Sequence, residues 1–183
     1  MLDQKELLKN IRFRMVIQRC QKAEVSIASQ SQGVMGQGLV VFFAVGWFNN
    51  FKAGTFEPAF EAELLQKLTP VLNKIKNKIL ALRIFSDANK KMNLSLNDMN
   101  GAIYIVSQFT LFSDCARGNR PSFIQTVWPE LASSVYVQFV NSFKESISEN
   151  RLHTGIFGAD MQVSLVNDGP VTIILDADSE GFL

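Results

Sequence analysis

The chain has 183 residues, 47% of them hydrophobic and 19% charged, with 15 Phe, enough for one domain around one sizeable core. Eighteen Lys and Arg against 17 Asp and Glu leave a net charge of +1, which excludes the broad electropositive face of a general nucleic-acid binder, so any RNA contact must be local. No apolar run reaches the ~18 residues of a membrane span, residues 2–10 lack the apolar centre of a secretory signal, and Cys20 and Cys115 fit neither a disulfide framework nor a metal-site spacing. The expected setting is therefore the reducing cytoplasm, with both thiols free and buried.

Residues 3–12 read as a short polar helix with Leu7, Leu8 and Ile11 on one side, packed loosely on the surface. Phe13, Met15 and Ile17 then alternate with polar neighbours, as do Ala23, Val25 and Ile27, which predicts two strands of a hairpin with a turn between. Gly33, Gly36 and Gly38 mark turns before the apolar run 39–45, a strand buried on both faces. Residues 47–57 show no period and read as a loop. Phe60, Leu64, Leu65 and Leu68 give a helix over 58–68. Thr69 then N-caps a second helix with Pro70 at its first position, carried on by Val71, Leu72, Ile75, Ile79 and Leu82.

Residues 82–85 read as a short strand end, 87–91 as a turn and 102–109 as a strong strand. Residues 113–122 form a loop. A helix follows Trp128-Pro129 to about Glu149, with Leu131, Val135, Phe139, Phe143 and Ile147 every four residues as its core stripe. After a loop at 155–159, strands at 161–166 and 171–175 flank a β-turn at Asn167-Asp168-Gly169-Pro170. Asp176, Asp178 and Glu180 read as a solvated tail. The whole reads as one α/β domain in layers around one core.

What is missing narrows the chemistry. The single histidine, His153, cannot build a histidine triad or a two-histidine metal site within one chain, and it reads as structural. The Gly33, Gly36 and Gly38 cluster lacks dinucleotide-fingerprint spacing. No metal or cofactor is expected. Two polar features on apolar strands remain: Ser107-Gln108-Phe109-Thr110-Leu111, where a strand ends in hydroxyls and an amide, and Asn167-Asp168-Gly169-Pro170-Val171-Thr172. Each alone is an ordinary strand end or turn.

Together they resemble the D-aminoacyl-tRNA deacylase family of bacteria and eukaryotes, over about residues 13–176. Supporting matches stand in order: Val16-Ile17-Gln18-Arg19, Leu82-Arg83-Ile84-Phe85, Lys91-Met92-Asn93-Leu94-Ser95, Arg120-Pro121-Ser122-Phe123, and Thr154-Gly155 with Phe157-Gly158-Ala159-Asp160-Met161. The resemblance implies a single-domain, three-layer α/β/β fold with mixed sheets. It implies a homodimer with the site at the subunit interface and a tRNA substrate held by its aminoacylated 3′ end.

The implied activity is hydrolysis of the ester of D-aminoacyl-tRNA, and of glycyl-tRNA mischarged on tRNA-Ala. Gly169 and Pro170, joined by a cis peptide bond, would enter the partner's pocket, where their carbonyls crowd the substrate Cα. An L side chain would collide there. Arg19, with Asn167 in support, would hold this motif through backbone carbonyls. Phe157, Gly158, Ala159 and Met161 would line the pocket, and Phe109 would meet the terminal adenosine. Amides near Gln108 to Thr110 would hold the oxyanion. A threonine nucleophile needs a base, and none is evident. The expectation is a water activated with the ribose 2′-hydroxyl, with Ser107, Gln108 and Thr110 as catalytic and positioning groups. Arg117 and Arg120 are candidates for phosphate contacts.

The sequence departs from the family in three places: an extension over 1–12, an insertion over 47–70 and a tail over 177–183. Two alternatives stand beside this reading. One is a relaxed-chirality editing deacylase acting on a small L-amino acid. The other is a non-catalytic RNA-binding dimer.

Overall fold

The computed structural model describes residues 4–48, 51 and 57–183. Its spine is a six-stranded mixed sheet. The chain enters through α1 (Gln4–Asn10) and runs straight into β1 (Ile11–Ile27), followed by β2 (Gln30–Met35) and β3 (Gly38–Trp47). Then come the long helix α2 (Glu61–Ala81), a small antiparallel pair β4 (Phe85–Ser86) and β5 (Met92–Leu94), and β6 (Ala102–Ser107). The helix α3 (Pro129–Phe143), β7 (Leu152–Thr154) and β8 (Met161–Asp178) complete the chain. Strand order is β2-β1-β3-β6-β7, with β8 along the other edge of β1. The pairs β3–β6 and β6–β7 are parallel and the rest antiparallel.

Side-chain alternation on β3 and β6 separates two cores. Leu39, Val41, Phe43 and Val45, with Ile103 and Ile105, face α2 and α3. Val40, Tyr104 and Val106 face the opposite way, against Cys20, Ala23, Val25 and Met35. Helices, central sheet and an over-folded sheet layer therefore make the α/β/β arrangement. β1 takes part in both layers: Phe13, Met15 and Ile17 point to the helices, while Ala23 and Val25 line the second core. Register shifts around Cys20 change the face of the strand.

The expected turn between residues 17 and 23 is thus a bulge within one 17-residue strand. The true hairpin turn is Ala28-Ser29, both with positive φ (49° and 64°). That geometry normally selects Gly or Asn, so the sequence carried no warning of it.

The two helices expected around Thr69-Pro70 are one. Leu64, Leu68, Val71, Leu72, Ile75 and Ile79 form a single buried stripe across Pro70. Packing that stripe outweighs the ~3 kcal/mol that an interior proline costs. Thr69 caps nothing; its hydroxyl donates back to the Leu65 carbonyl (3.1 Å). The Gln138 amide of α3 donates to the same carbonyl (3.0 Å) and to Thr69 Oγ1 (2.7 Å), bracing the helix at its weak point. Residues 49, 50 and 52–56 of the expected loop lie outside the described residues, and the rest of the 47–70 stretch includes a 3₁₀ turn, Pro58–Phe60, and the start of α2.

Other expectations shift at the edges. α1 ends at Asn10, sooner than expected, and is not loosely packed: its Leu7, and Ile11 at the start of β1, belong to the main core. α3 ends at Phe143, though Ile147 stays buried beyond it. The expected strand over 102–109 stops at Ser107. The supposed solvated tail is bound: Asp176 receives two hydrogen bonds from Arg14 (2.8 and 2.9 Å), Asp178 pairs with Arg12 (3.8 Å), and Ala177 is fully buried. Of the cysteines, Cys20 is buried and Cys115 exposed.

Candidate active site

Strand β6 ends because its last rung is made one residue further on, where the Gln108 N–H donates to the Phe43 carbonyl (2.8 Å). The chain then winds into a 3₁₀ turn, Phe109–Phe112. Leu111 and Ser113 N–H close it on the Gln108 and Thr110 carbonyls (3.2 and 3.0 Å). The amides of Phe109 and Thr110 open the turn and have no acceptor inside it. Phe112 pins the turn from below. Its ring lies on Gly46, where a Cβ would meet ring atoms at 2.4 Å.

At the top, the Gln108 side-chain amide donates to Thr110 Oγ1 (2.5 Å). This fixes the hydroxyl and leaves its proton free to donate elsewhere. Phe109 is 54% exposed and meets Phe123 edge-on, ring centroids 5.1 Å apart. Two large aromatic rings on a solvent-facing ledge are unusual unless something covers them.

β7 lies parallel to β6, so both strands deliver their carboxyl ends to the same side. That is where α/β sheets place ligands. The Gly155 N–H donates to the Ile105 carbonyl (2.9 Å). The buried Tyr136 hydroxyl sits 2.9 Å from the Ile105 carbonyl and 3.2 Å from that of Gly155, tying the two strand ends together. Burial raises the Tyr136 pKa, so it is a neutral structural donor.

Beyond Gly155, Phe157 is half-buried against Tyr136 (centroids 6.0 Å). Gly158 takes φ +74°, exposed. Ala159 closes a turn on Ile156. Met161 is half-buried, its sulfur 2.5 Å from where a Gly155 Cβ would stand, so a side chain at position 155 would displace the flexible Met161. The residues 107–110 and 155–161 thus share one end of the sheet.

Gly169-Pro170 lies elsewhere. The expected β-turn is a wide bulge inside β8, which pairs with β1 on both sides of it. Between the Gln18–Thr172 and Cys20–Asn167 pairs, Arg19 alone faces residues 168–171. The Gly169–Pro170 peptide is cis, and both residues are exposed, as is Asn167. Arg19 is 7% exposed. Its Nε lies 3.0 Å from the Asp168 carbonyl and 3.1 Å from the Asp168 carboxylate, and its Nη1 donates to the Ile84 carbonyl (2.5 Å). Arg19 therefore grips the residue before the Gly-Pro pair.

Strands β1 and β3 separate β8 from β6, about 14 Å at ~4.8 Å per strand. Ser107 is level, through Phe43 and Met15, with Leu175. Gly169 stands further along β8, so one chain does not bring its two signature motifs together.

His153 stacks on Tyr104 (5.5 Å) and abuts Gly33, level with Tyr104 and short of the strand end at Ser107; burial lowers its pKa. Burial likewise pushes the Cys20 thiol up to about 11, which leaves it unreactive. Arg117 and Arg120 are exposed in a loop closed by the Asp114–Ser122 bridge, next to the aromatic ledge. Sequence reasoning assigned no role to Arg14, which reaches the Leu111 carbonyl (3.3 Å) from β1. Cross-strand partners of this kind are invisible until register is known.

These features define a class: a layered α/β/β domain with an open-amide turn at the carboxyl ends of its parallel strands. Solved structures share its fold. One titled a structural analysis of a probable eukaryotic D-amino acid tRNA deacylase is 18% identical with TM-score 0.70, covering 90% of this chain and 99% of that one, and agrees in fold. Another, titled c-Myc DNA Unwinding Element Binding Protein, is 31% identical with TM-score 0.72, covering 88% and 97%. A D-aminoacyl-tRNA deacylase of Thermosipho africanus (strain TCF52B) is 43% identical over 165 residues, 90% of this chain and 97% of that protein. The model of the D-Tyr-tRNA(Tyr) deacylase family matches residues 67–176. The chain belongs to the D-Tyr-tRNA(Tyr) deacylase family, and no helix among its described residues is long and apolar enough to cross a membrane.

Proposed function

We propose that this enzyme hydrolyses the ester of D-aminoacyl-tRNA, and of glycyl-tRNA mischarged on tRNA-Ala, in the cytoplasm, releasing free amino acid and tRNA. The observation that carries this reading is the exposed Gly169-Pro170 bulge, gripped by a buried arginine yet remote from the open-amide turn of its own chain. A rigid, solvent-facing backbone motif with no target among the described residues of its own chain fits a site completed by a second copy. The functional unit is then a homodimer, each subunit lending Gly169 and Pro170 to its partner. Residues 13–176 form the deacylase domain, and the segments 1–12, 47–70 and 177–183 are additions to it.

In the reaction, the terminal adenosine rests on Phe109, a contact worth about 1–3 kcal/mol. The aminoacyl group lies between the turn and the wall of Phe157, Gly158, Ala159 and Met161. Water, oriented by Ser107, by Thr110 and by the substrate's own 2′-hydroxyl, attacks the ester carbonyl. The Phe109 and Thr110 amides receive the oxyanion; one such donor contributes on the order of 3–4 kcal/mol. The tetrahedral intermediate collapses with cleavage of the ester C–O bond, and the ribose 3′-oxygen leaves with a proton. Gly169 and Pro170 carbonyls face the substrate Cα. They leave room for hydrogen on one side only, so an L side chain is refused without any contact that recognises a D side chain.

The test is release of free D-tyrosine and intact tRNA from D-Tyr-tRNA by the purified protein, with its mass followed by sedimentation. Turnover by a dimer is the expected result. A folded protein that binds tRNA without hydrolysis would overturn the proposal in favour of an RNA-binding dimer.

A further inference from the structure

The turn that carries Thr110 hangs from three supports. Its start is held by the Gln108 N–H on the Phe43 carbonyl, and its end by Phe112 seated on Gly46. The third support comes from the neighbouring strand β1. Arg14, on β1, presents Nη1 to the Leu111 carbonyl (3.3 Å) and lies with its guanidinium 5.5 Å from the Phe112 ring centroid. Its other two nitrogens form a fork on Asp176, Nε to Oδ1 at 2.8 Å and Nη2 to Oδ2 at 2.9 Å. Arg14 and Asp176 are directly opposed on β1 and β8.

We infer that Arg14, oriented by Asp176, is a positioning residue for the deacylation reaction: it fixes the turn bearing Phe109 and Thr110. The inference rests on the proposed function, because it assigns work to that turn. Three considerations favour it over a surface ion pair. With Nε and Nη2 forked on Asp176, the planar guanidinium is fixed in orientation, and that orientation holds Nη1 at the Leu111 carbonyl. The pair is roughly a third exposed (40% and 31%), so its contribution to global stability is small. Its geometric effect is local, on a turn too short to hold itself, since isolated 3₁₀ turns are weakly bonded.

The arrangement also links two parts of the site. β8 carries Asp176 at one end and the Gly169-Pro170 bulge further back. Arg14 therefore ties the strand that presents the motif to one partner to the turn that would receive the motif from the other.

The experiment compares Arg14→Lys, Arg14→Ala and Asp176→Asn in the full-length protein, by steady-state deacylation of D-Tyr-tRNA, thermal melting and amide exchange of the 107–114 segment. The expected result is a fall in kcat of about tenfold with KM within about twofold, the signature of a lost transition-state geometry. Arg14→Lys should be nearly as impaired as Arg14→Ala, because lysine keeps the charge and loses the fork. Melting temperature should barely change, while Leu111 and Ser113 amides exchange faster. Unchanged kcat with unchanged exchange, or rescue by lysine, would overturn the inference. A loss of kcat that only tracks a fall in melting temperature would overturn it as well. If the unmodified protein released no D-tyrosine, the proposed function would fail instead. The exchange of Leu111 and Ser113 would still decide whether Arg14 holds the turn.

Discussion

The open-amide turn at 107–112 and the bulge at 167–171 are built in opposite ways. The turn is half-buried and packed from below by Phe112, and its chemistry lies in backbone amides and a hydroxyl aimed by Gln108. The bulge is exposed, contributes no reactive side chain, and owes its shape to one buried arginine from the neighbouring strand. In the proposed reaction the first receives a substrate and the second is a shape offered to it. As the proposed chirality filter, the bulge would benefit from rigidity more than from affinity, and the Arg19 contacts supply it at the cost of burying a charge.

That contrast can be broken most severely at Arg19. Arg19→Ala leaves the Asp168 and Ile84 carbonyls without their donor and should destabilise the fold by about 3 kcal/mol. D-Tyr-tRNA turnover should fall about a thousandfold, measured alongside denaturant melts so that unfolding is separated from misplacement. An Arg19→Ala protein with normal turnover would show that the bulge needs no clamp.

At the turn the losses should be smaller, because its chemistry is shared among several groups. Thr110→Ala should slow kcat by about 10- to 100-fold. A loss beyond about a thousandfold, roughly 4 kcal/mol of activation free energy, would make the threonine a nucleophile and not a positioning group. Phe109→Ala should act mainly on KM, raising it about tenfold through lost stacking.

The smallest effect should come from His153, which belongs to neither region. His153→Gln should leave D-Tyr-tRNA turnover within about twofold. Burial lowers the folded pKa of His153 from 6.5. Stability is therefore intact above pH 6.5 and is lost as pH falls through the lower folded value, where the unfolded chain binds the proton first. The unmodified protein should melt at a progressively lower temperature from pH 7 to pH 5, and His153→Gln should lose less over the same range.

How much of this was legible in the sequence differs between the two regions as well. The three-layer arrangement was implied only by the family resemblance, whereas the core stripe of α3 and the two-sided burial of β3 follow from the apolar pattern alone. So does the polar end of β6 at Ser107. The bulge does not. Asn167-Asp168-Gly169-Pro170 has the composition of a hairpin turn, and only pairing of β8 with β1 on both sides shows that the chain continues.

The same blindness to register hid the bend of β1 and the fork of Arg14 on Asp176, because strand partners 162 residues apart leave no local trace. Pro70 misled for a different reason. Local propensity called for a break where a continuous buried stripe and Gln138 hold the helix together. The separation of the two signature motifs within one chain could be read only from sheet order.

The central claim is that chirality is judged by the Gly169-Pro170 backbone, and the most direct measurement is deacylation of matched D-Tyr-tRNA and L-Tyr-tRNA by the unmodified protein under the same conditions. The account predicts rapid release from the D-ester and a rate for the L-ester at least about a thousandfold lower, a discrimination of about 4 kcal/mol. Comparable release from both would contradict it, since a backbone that crowds the L side chain could not then be facing the substrate Cα.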